Sequence, residues 1–414
     1  MSGDFKTADE FYAIHKELSD RFHAMKPELE VTVRDPEMGV EGYVVVWNTK
    51  IALGGPFDND GKGMGKGGTR TIPNVTLDDI RMLARGMAEK NAAAGLPMGG
   101  CKSGARLDSS QPDYEKKYRR FVRLVKDTGL FYEDGGKFGG LGYDVGCLPP
   151  NNAIWACDEL KSRRCHTGKP VDLGGTDYDR EGIAGLGVAV AGKALTDSRA
   201  VQNPTFAVQG AGAMGAAVIR YFVEYGGVLK GVSDPKYGGT WSIDHATPAL
   251  IEALSHQDTD TAKHLLQAHG KHISDDSNDV LYQPVDIIFP CALQDVITAS
   301  NAGRIKARMM AEGANHPTTD DAHEVLFQYG VITVPDIIAN VGGIVAAFIE
   351  LASTKEGPAK VKAAKDFTIY KVGENAAELI GIVDQFKVRP DKVGDFMAYR
   401  NIFYGLKNQP KLDL

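Results

Sequence analysis

Lys66 in GMGKGGTR and Lys102 in GGCKSGAR each stand among glycines, in segments whose backbone freedom is costly unless it shapes a site. Lys90 falls three residues after Met87 and seven after Leu83, on the apolar stripe of a helical segment. A charged head there needs a snorkelling path to water or an anionic partner. A lysine that is desolvated and crowded by other ammonium groups loses proton affinity and becomes a neutral base near neutral pH. Three such lysines with a carboxylate suit proton transfer on a substrate that itself bears a carboxylate.

A second signal concerns a phosphate-bearing cofactor. Gly210-Ala211-Gly212-Ala213-Met214-Gly215 is a complete GxGxxG, preceded by strand-like residues 206–209 and opening a helix whose apolar residues recur in steps of three or four. In that context the glycines make the tight turn, admit a pyrophosphate to the backbone and bring helix against strand, while the helix amides face the negative charge. The next strand-like run ends at Asp234, nineteen residues beyond Gly215, where an acidic residue takes a ribose 2′-hydroxyl. NAD is favoured on this ground, and NADP stays open because Lys236 stands near enough to assist a phosphate.

The elements that position these residues follow from pattern. Residues 42–53 are rich in β-branched and aromatic types and read as strand, and the glycine-dense 54–70 segment reads as loop. Thr76 and Asp79 resemble a capping box, and Ile80, Leu83, Met87 and Ala94 trace a helix stopped by Gly95 and Pro97. LPMGGCKSGARLD then reads as loop, followed by a helix from about Phe121, a second glycine-rich segment and a helix near 149–160. The basic run KSRRCHTGK (161–169) reads as a solvated linker. From Thr205 short apolar strands alternate with helices, which implies a parallel sheet with covered faces, and the chain beyond about 345 reads as helical.

Composition narrows the function classes. At 414 residues with 43% hydrophobic and 24% charged content, the chain is globular and exceeds what one core usually serves. A net charge of −7 gives no footprint for nucleic acid or an anionic membrane, so a small-molecule partner is expected. The five cysteines make no zinc-type spacing and read as reduced intracellular thiols. Asp4, Asp9 and Glu10 stand where a signal peptide needs an apolar core, no stretch is long enough to span a bilayer, and a cytoplasmic location is expected. His264, His269 and His272 match no ligand spacing, and no metal is assigned.

Read in order, GKGGTR, LARGMAEKNAAAGLPMGGCKSGA, YDVG, TGKP, LGG, GAGAMG, DIIFPCA, AEGANHPTT and VPDIIANVGGIVAAFIE resemble the successive motifs of the glutamate/leucine/phenylalanine/valine dehydrogenases, over roughly residues 40–350. That resemblance implies NAD(P)-dependent oxidative deamination of an L-amino acid to a 2-oxo acid and ammonia, in a cleft between two domains of a homo-oligomer. It implies that Lys90 holds the substrate α-carboxylate, that Lys102 activates water, and that Asp144 shuttles protons at the amino nitrogen. Asn315, Asn340 and Ala292 match positions beside the nicotinamide and ribose. Lys66 matches a lysine that meets the side-chain carboxylate in glutamate enzymes, and Gly67, Gly142, Ile344 and Ala347 are the candidate pocket wall.

Two departures bear on this. Ala347 stands where glutamate enzymes carry a serine that helps hold the side-chain carboxylate, and Ala184 stands where the family has a threonine that contacts the nicotinamide amide. Each loses a hydrogen bond, of about 0.5–1.5 kcal/mol. Glutamate is the favoured substrate, with a leucine/valine-type or atypical amino acid as the alternative and a catalytically quiet nucleotide-binding relative as a different class. The expected fold is two α/β domains: a substrate-binding and oligomerisation domain over 1–180, and a Rossmann-type doubly wound domain over 181–345. A helical tail over 346–414 is expected to bridge back to the first.

Overall fold

The computed structural model describes residues 5–406; Asp4, and 407–414 at the end of the expected tail, lie outside the described residues. The first part of the chain runs α1 (Ala8–Ala24), β1 (Leu29–Asp35), β2 (Val40–Trp47), β3 (Gly65–Lys66), β4 (Thr69–Thr71), α2 (Leu77–Ala93), β5 (Gly99–Ala105), α3 (Tyr114–Asp127) and α4 (Asn151–Leu160). Its sheet has the order β1-β2-β5-β3, with β4 also paired to β5. β1, β2 and β5 are antiparallel neighbours, whereas β3 and β4 run parallel to β5. The Thr76–Asp79 capping box forms as expected and starts α2.

Three expectations are corrected here. Residues 99–105 are not a loop but the fully buried strand β5, and its glycines are there for packing. A Cβ on Gly100 would lie 2.3 Å from the Ala84 carbonyl and the Ala88 amide, so α2 rests directly on this strand. The strand expected over 42–53 ends at Trp47, where Asn48 turns into the left-handed region and a 3-10 turn follows over Thr49–Ala52. The glycine-dense 54–70 segment contains the short strands β3 and β4.

The second part runs α5 (Ile183–Ser198), β6 (Thr205–Gln209), α6 (Ala213–Glu224), β7 (Val228–Asp234), β8 (Gly239–Ile243), α7 (Pro248–Ser255), α8 (Thr259–His269), β9 (Gly270–Ser274), β10 (Ile287–Pro290), α9 (Ala299–Ala302), β11 (Met309–Ala311), α10 (Asp320–Gln328), β12 (Ile332–Val334), α11 (Asp336–Ala339) and α12 (Gly342–Ala352). The sheet order β12-β11-β10-β6-β7-β8-β9 is parallel from β12 to β7 and continues antiparallel through β8 and β9. The order reverses beside β6, so the turn after that strand opens at the crevice where doubly wound sheets bind ligands. His272 lies on β9 rather than in the expected helical stretch.

Two long helices close the chain, α13 (Gly357–Phe386) and α14 (Pro390–Tyr404). α13 lies along α5 and α12, and α14 packs on α1 and α2. Asn375 and Asn401 donate to the Ala93 and Ala92 carbonyls at 3.1 and 2.8 Å, capping the end of α2 with side chains from the tail.

Candidate active site

Lys102, Lys66 and Asp144 converge because three local devices aim them. Along β5, alternation puts Lys102 on the same face as Gly100 and Gly104, the face that α2 covers. β3 pairs with β5 through Lys66↔Gly100, and buried Asn91 fixes the pairing by donating to the Lys66 and Gly99 carbonyls at 3.1 and 2.7 Å. Residues 141–146 run beside β4, with the Thr69 amide donating to the Gly142 carbonyl at 2.7 Å and the Thr71 amide to Val145 at 2.9 Å. This brings Asp144 over the end of Lys102.

Lys102 Nζ is 2.7 Å from Asp144 Oδ2, and Arg70 Nε donates to the same oxygen at 3.1 Å. Burial lowers the proton affinity of Lys102, with the Asp144 carboxylate working against it. Burial pushes Asp144 the other way, but Lys102 and Arg70 outweigh it and hold its carboxyl below the usual range. Lys66, 3% exposed, donates to the carbonyls of Gly67 at 2.7 Å, Leu141 at 2.8 Å and Gly140 at 3.2 Å. Burial brings its pKa down to about 7. Lys90 is half-buried and reaches across the cleft, where Nζ donates to Asn315 Oδ1 at 2.5 Å and Asn340 Oδ1 at 3.1 Å, with Asp336 at 3.8 Å.

Lys66, Lys90, Lys102 and Asp144 line one cavity of about 420 Å³. Lys66, Gly67, Lys90, Lys102, Gly142 and Asp144 enter it from the first sheet, α2 and the following loops. Ile344 and Ala347 of α12 face it from the other side, with Met214, Ala292, Asn315 and Asn340. Gly210, Ala211, Gly212, Ala213, Gly215 and Asp234 do not line it and form the adjoining turn between β6, α6 and β7. Gly67 tolerates no side chain, since a Cβ would fall 1.7 Å from the Cys101 carbonyl. Ala184 does not line the cavity either; it sits in the first turn of α5, against Gly342.

The β6–α6 turn fits a dinucleotide. Gly210 has φ +85°, a Cβ on Gly215 would lie 1.8 Å from the Gly210 carbonyl, and a Cβ on Gly212 would meet nothing within 4 Å. So the first glycine makes the turn, the third lets the helix meet the strand, and the second leaves open space before the N-terminal amides of α6. Asp234 accepts the Ala211 amide at 2.9 Å and the Lys236 amide at 3.0 Å, while Lys236 Nζ returns to the Ala211 carbonyl at 2.8 Å. Among the described residues, no group of three or more His, Cys, Asp or Glu side chains is arranged to hold a metal ion, and no helix is long and apolar enough to cross a membrane.

Sequence reasoning passed over several residues. Arg70, in the GKGGTR run with Lys66, bonds Asp144, and Tyr143, Thr167 and Tyr178 line the cavity. The 161–169 run is only partly a solvated linker, which corrects that reading: Cys165, His166, Thr167 and Lys169 are buried. Lys169 is paired with Glu350 of α12, a partner 181 residues away that no local pattern reveals.

Known proteins resemble this chain over most of its length. Residues 27–133 match the Glu/Leu/Phe/Val dehydrogenase dimerisation domain and residues 174–367 match the Glutamate/Leucine/Phenylalanine/Valine dehydrogenase family. The chain is 34% identical to a glutamate dehydrogenase of Aeropyrum pernix over 72% of its own length and 71% of the relative's. It is 35% identical to an NADP(+)-dependent glutamate dehydrogenase of Pyrobaculum calidifontis over 75% and 72% of the two lengths. Its fold superposes on the crystal structure of glutamate dehydrogenase from Peptoniphilus asaccharolyticus with a TM-score of 0.71 at 21% identity, covering 96% of this chain and 98% of that one. The chain belongs to the glutamate/leucine/phenylalanine/valine dehydrogenase family and is an NAD(P)-dependent oxidoreductase of amino acids.

Proposed function

We propose that this enzyme deaminates L-glutamate oxidatively and reversibly to the 2-oxo acid and ammonia. The observation that carries the reading is the convergence of Lys66, Lys90, Lys102 and Asp144 on one cavity beside the dinucleotide turn. Lys90 holds the α-carboxylate by its ammonium group, and Lys66 holds the side-chain carboxylate. Lys102, its proton affinity lowered by burial, takes a proton from water as that water adds to the imino carbon. Asp144, 2.7 Å away, moves protons to and from the amino nitrogen as ammonia leaves. A bound NAD(P) supplies the acceptor for the Cα hydride.

The Gly210–Gly215 turn and Asp234 hold the dinucleotide in this reading, and Ala292, Asn315 and Asn340 flank its nicotinamide end. Asp234 favours NAD through the ribose 2′-hydroxyl, and Lys236 leaves NADP possible. The chain divides at about residues 180 and 345 into the substrate-binding, nucleotide-binding and tail portions, acts in the cytoplasm, and assembles as a homo-oligomer through its first portion. A leucine- or valine-type substrate is the second reading, favoured by Ile344, Ala347 and Met87 in the cavity wall.

Product analysis tests the proposal. L-glutamate with NAD+ or NADP+ should yield ammonia and reduced cofactor in equal amounts, and cofactor reduction without ammonia release would refute deamination.

A further inference from the structure

Three buried groups that the reaction does not use sit behind the substrate cavity: His166, Lys169 and Glu350. Glu350 follows Ile344 and Ala347 on α12 at intervals of three residues, so the cavity-lining face of that helix continues onto it. Its Oε1 pairs with Lys169 Nζ. Its Oε2 accepts the Gly168 and Thr176 amides, each at 3.1 Å, and the Thr176 hydroxyl at 3.0 Å. Lys169 Nζ also donates to the His166 carbonyl at 2.6 Å. Together these bonds grip residues 166–176, the segment that carries Thr167 into the cavity.

The grip reaches Lys66 through the backbone. The Leu141 carbonyl that accepts Lys66 Nζ also accepts the Thr167 amide at 3.0 Å, and the next amide, Gly168, is the one held by Glu350. The titratable and charged groups that act on Lys66 include Cys101 and Lys102 of β5, His166 and Lys169, and Glu350 of α12. Burial pushes the Cys101 thiol up to about 12 and takes His166 well below its ordinary range, so both are neutral at neutral pH. Glu350 is therefore the negative charge of this group, and a buried cation without one is costly.

We propose that Glu350, paired with Lys169, is the buried counter-charge that shapes the Lys66 end of the pocket, and so sets the preference for a side chain ending in a carboxylate. The inference rests on the glutamate reading above. Glu350 is a positioning residue, acting through Lys66 and Thr167 rather than on the substrate.

The readout is the ratio of kcat/KM for L-glutamate to that for L-norvaline, which has the same side-chain length without the carboxylate, between about pH 6 and 9. The ratio cancels titrations common to both substrates, Lys102 among them, and isolates Lys66. In the unmodified enzyme it should fall as pH rises through about 7, where Lys66 loses its proton. Glu350→Gln, which leaves Lys169 unopposed, should cut the ratio about tenfold, or about 1.4 kcal/mol, and start the fall at lower pH. Lys169→Met, which leaves Glu350 unopposed, should start it at higher pH, and the double variant should return toward the unmodified course.

A purely structural role predicts losses for both substrates alike with the ratio and its pH course unmoved, and that result would overturn the inference. Should Glu350→Gln fail to fold, Lys169→Met decides, because a ratio and a pH course the same as those of the unmodified enzyme overturn the inference. Norvaline turnover with no glutamate turnover would also overturn it, while leaving an amino acid dehydrogenase. Turnover of neither substrate, nor of any other amino acid, would count against the proposed function instead.

Discussion

Lys102 Nζ lies 2.7 Å from Asp144 Oδ2, and Arg70 Nε lies 3.1 Å from that same oxygen. One carboxylate thus serves two cations in a mostly buried site, which keeps Asp144 ionised while Lys102 is left easier to deprotonate than a lysine in water. A non-catalytic nucleotide-binding protein has no chemical use for that arrangement.

Asp144→Asn should lower kcat by about 10²–10⁴-fold, the usual scale of a lost acid–base group. Its pH profile carries a sign. Lys102 must be neutral to act, and Asp144 favours its charged form, so loss of the carboxylate should move the acid limb of kcat/KM to lower pH. A limb that moves upward would contradict the pairing.

The glycines of the nucleotide turn separate folding from binding. Gly215→Ala places a Cβ 1.8 Å from the Gly210 carbonyl and should destabilise the enzyme by about 1–3 kcal/mol or more, seen as a lower Tm. Gly212→Ala points into open space, so its Tm should hold while titration with reduced cofactor shows weaker binding. Unchanged cofactor affinity in Gly212→Ala would argue against binding at this turn.

Lys90→Gln should raise KM by about tenfold or more for every L-amino acid, since the α-carboxylate is common to all of them. An effect confined to glutamate would assign Lys90 to the side-chain end instead.

Lys66→Leu should raise KM for glutamate far more than for leucine, and Ala347→Ser, which adds a hydroxyl to the cavity wall, should improve glutamate turnover. Steady-state kinetics on both substrates checks the pair. Equal losses for glutamate and leucine in Lys66→Leu would remove its role in substrate choice.

Much of the site was legible because its helices advertise themselves. The Thr76–Asp79 box and the Ile80, Leu83, Met87 stripe fix α2 and hence Lys90, and the glycine spacing fixes the turn into α6. β5 was not legible. Gly99, Gly100 and Gly104 look like loop residues, and only the nearness of α2, which leaves no room for a Cβ at Gly100, explains why a central strand is built from them. Lys169 misleads for a related reason, because the charge that permits its burial arrives from α12, far along the chain. Thr167 and Tyr178 enter the cavity on segments with no periodicity, so no spacing marks them.

The most direct test of the central claim is the initial rate of NAD+ and NADP+ reduction across a panel of L-amino acids, with Lys102→Ala as the blank. The account predicts reduction with glutamate that is lost in the blank. No reduction with any amino acid, in protein shown to bind the dinucleotide, would contradict it.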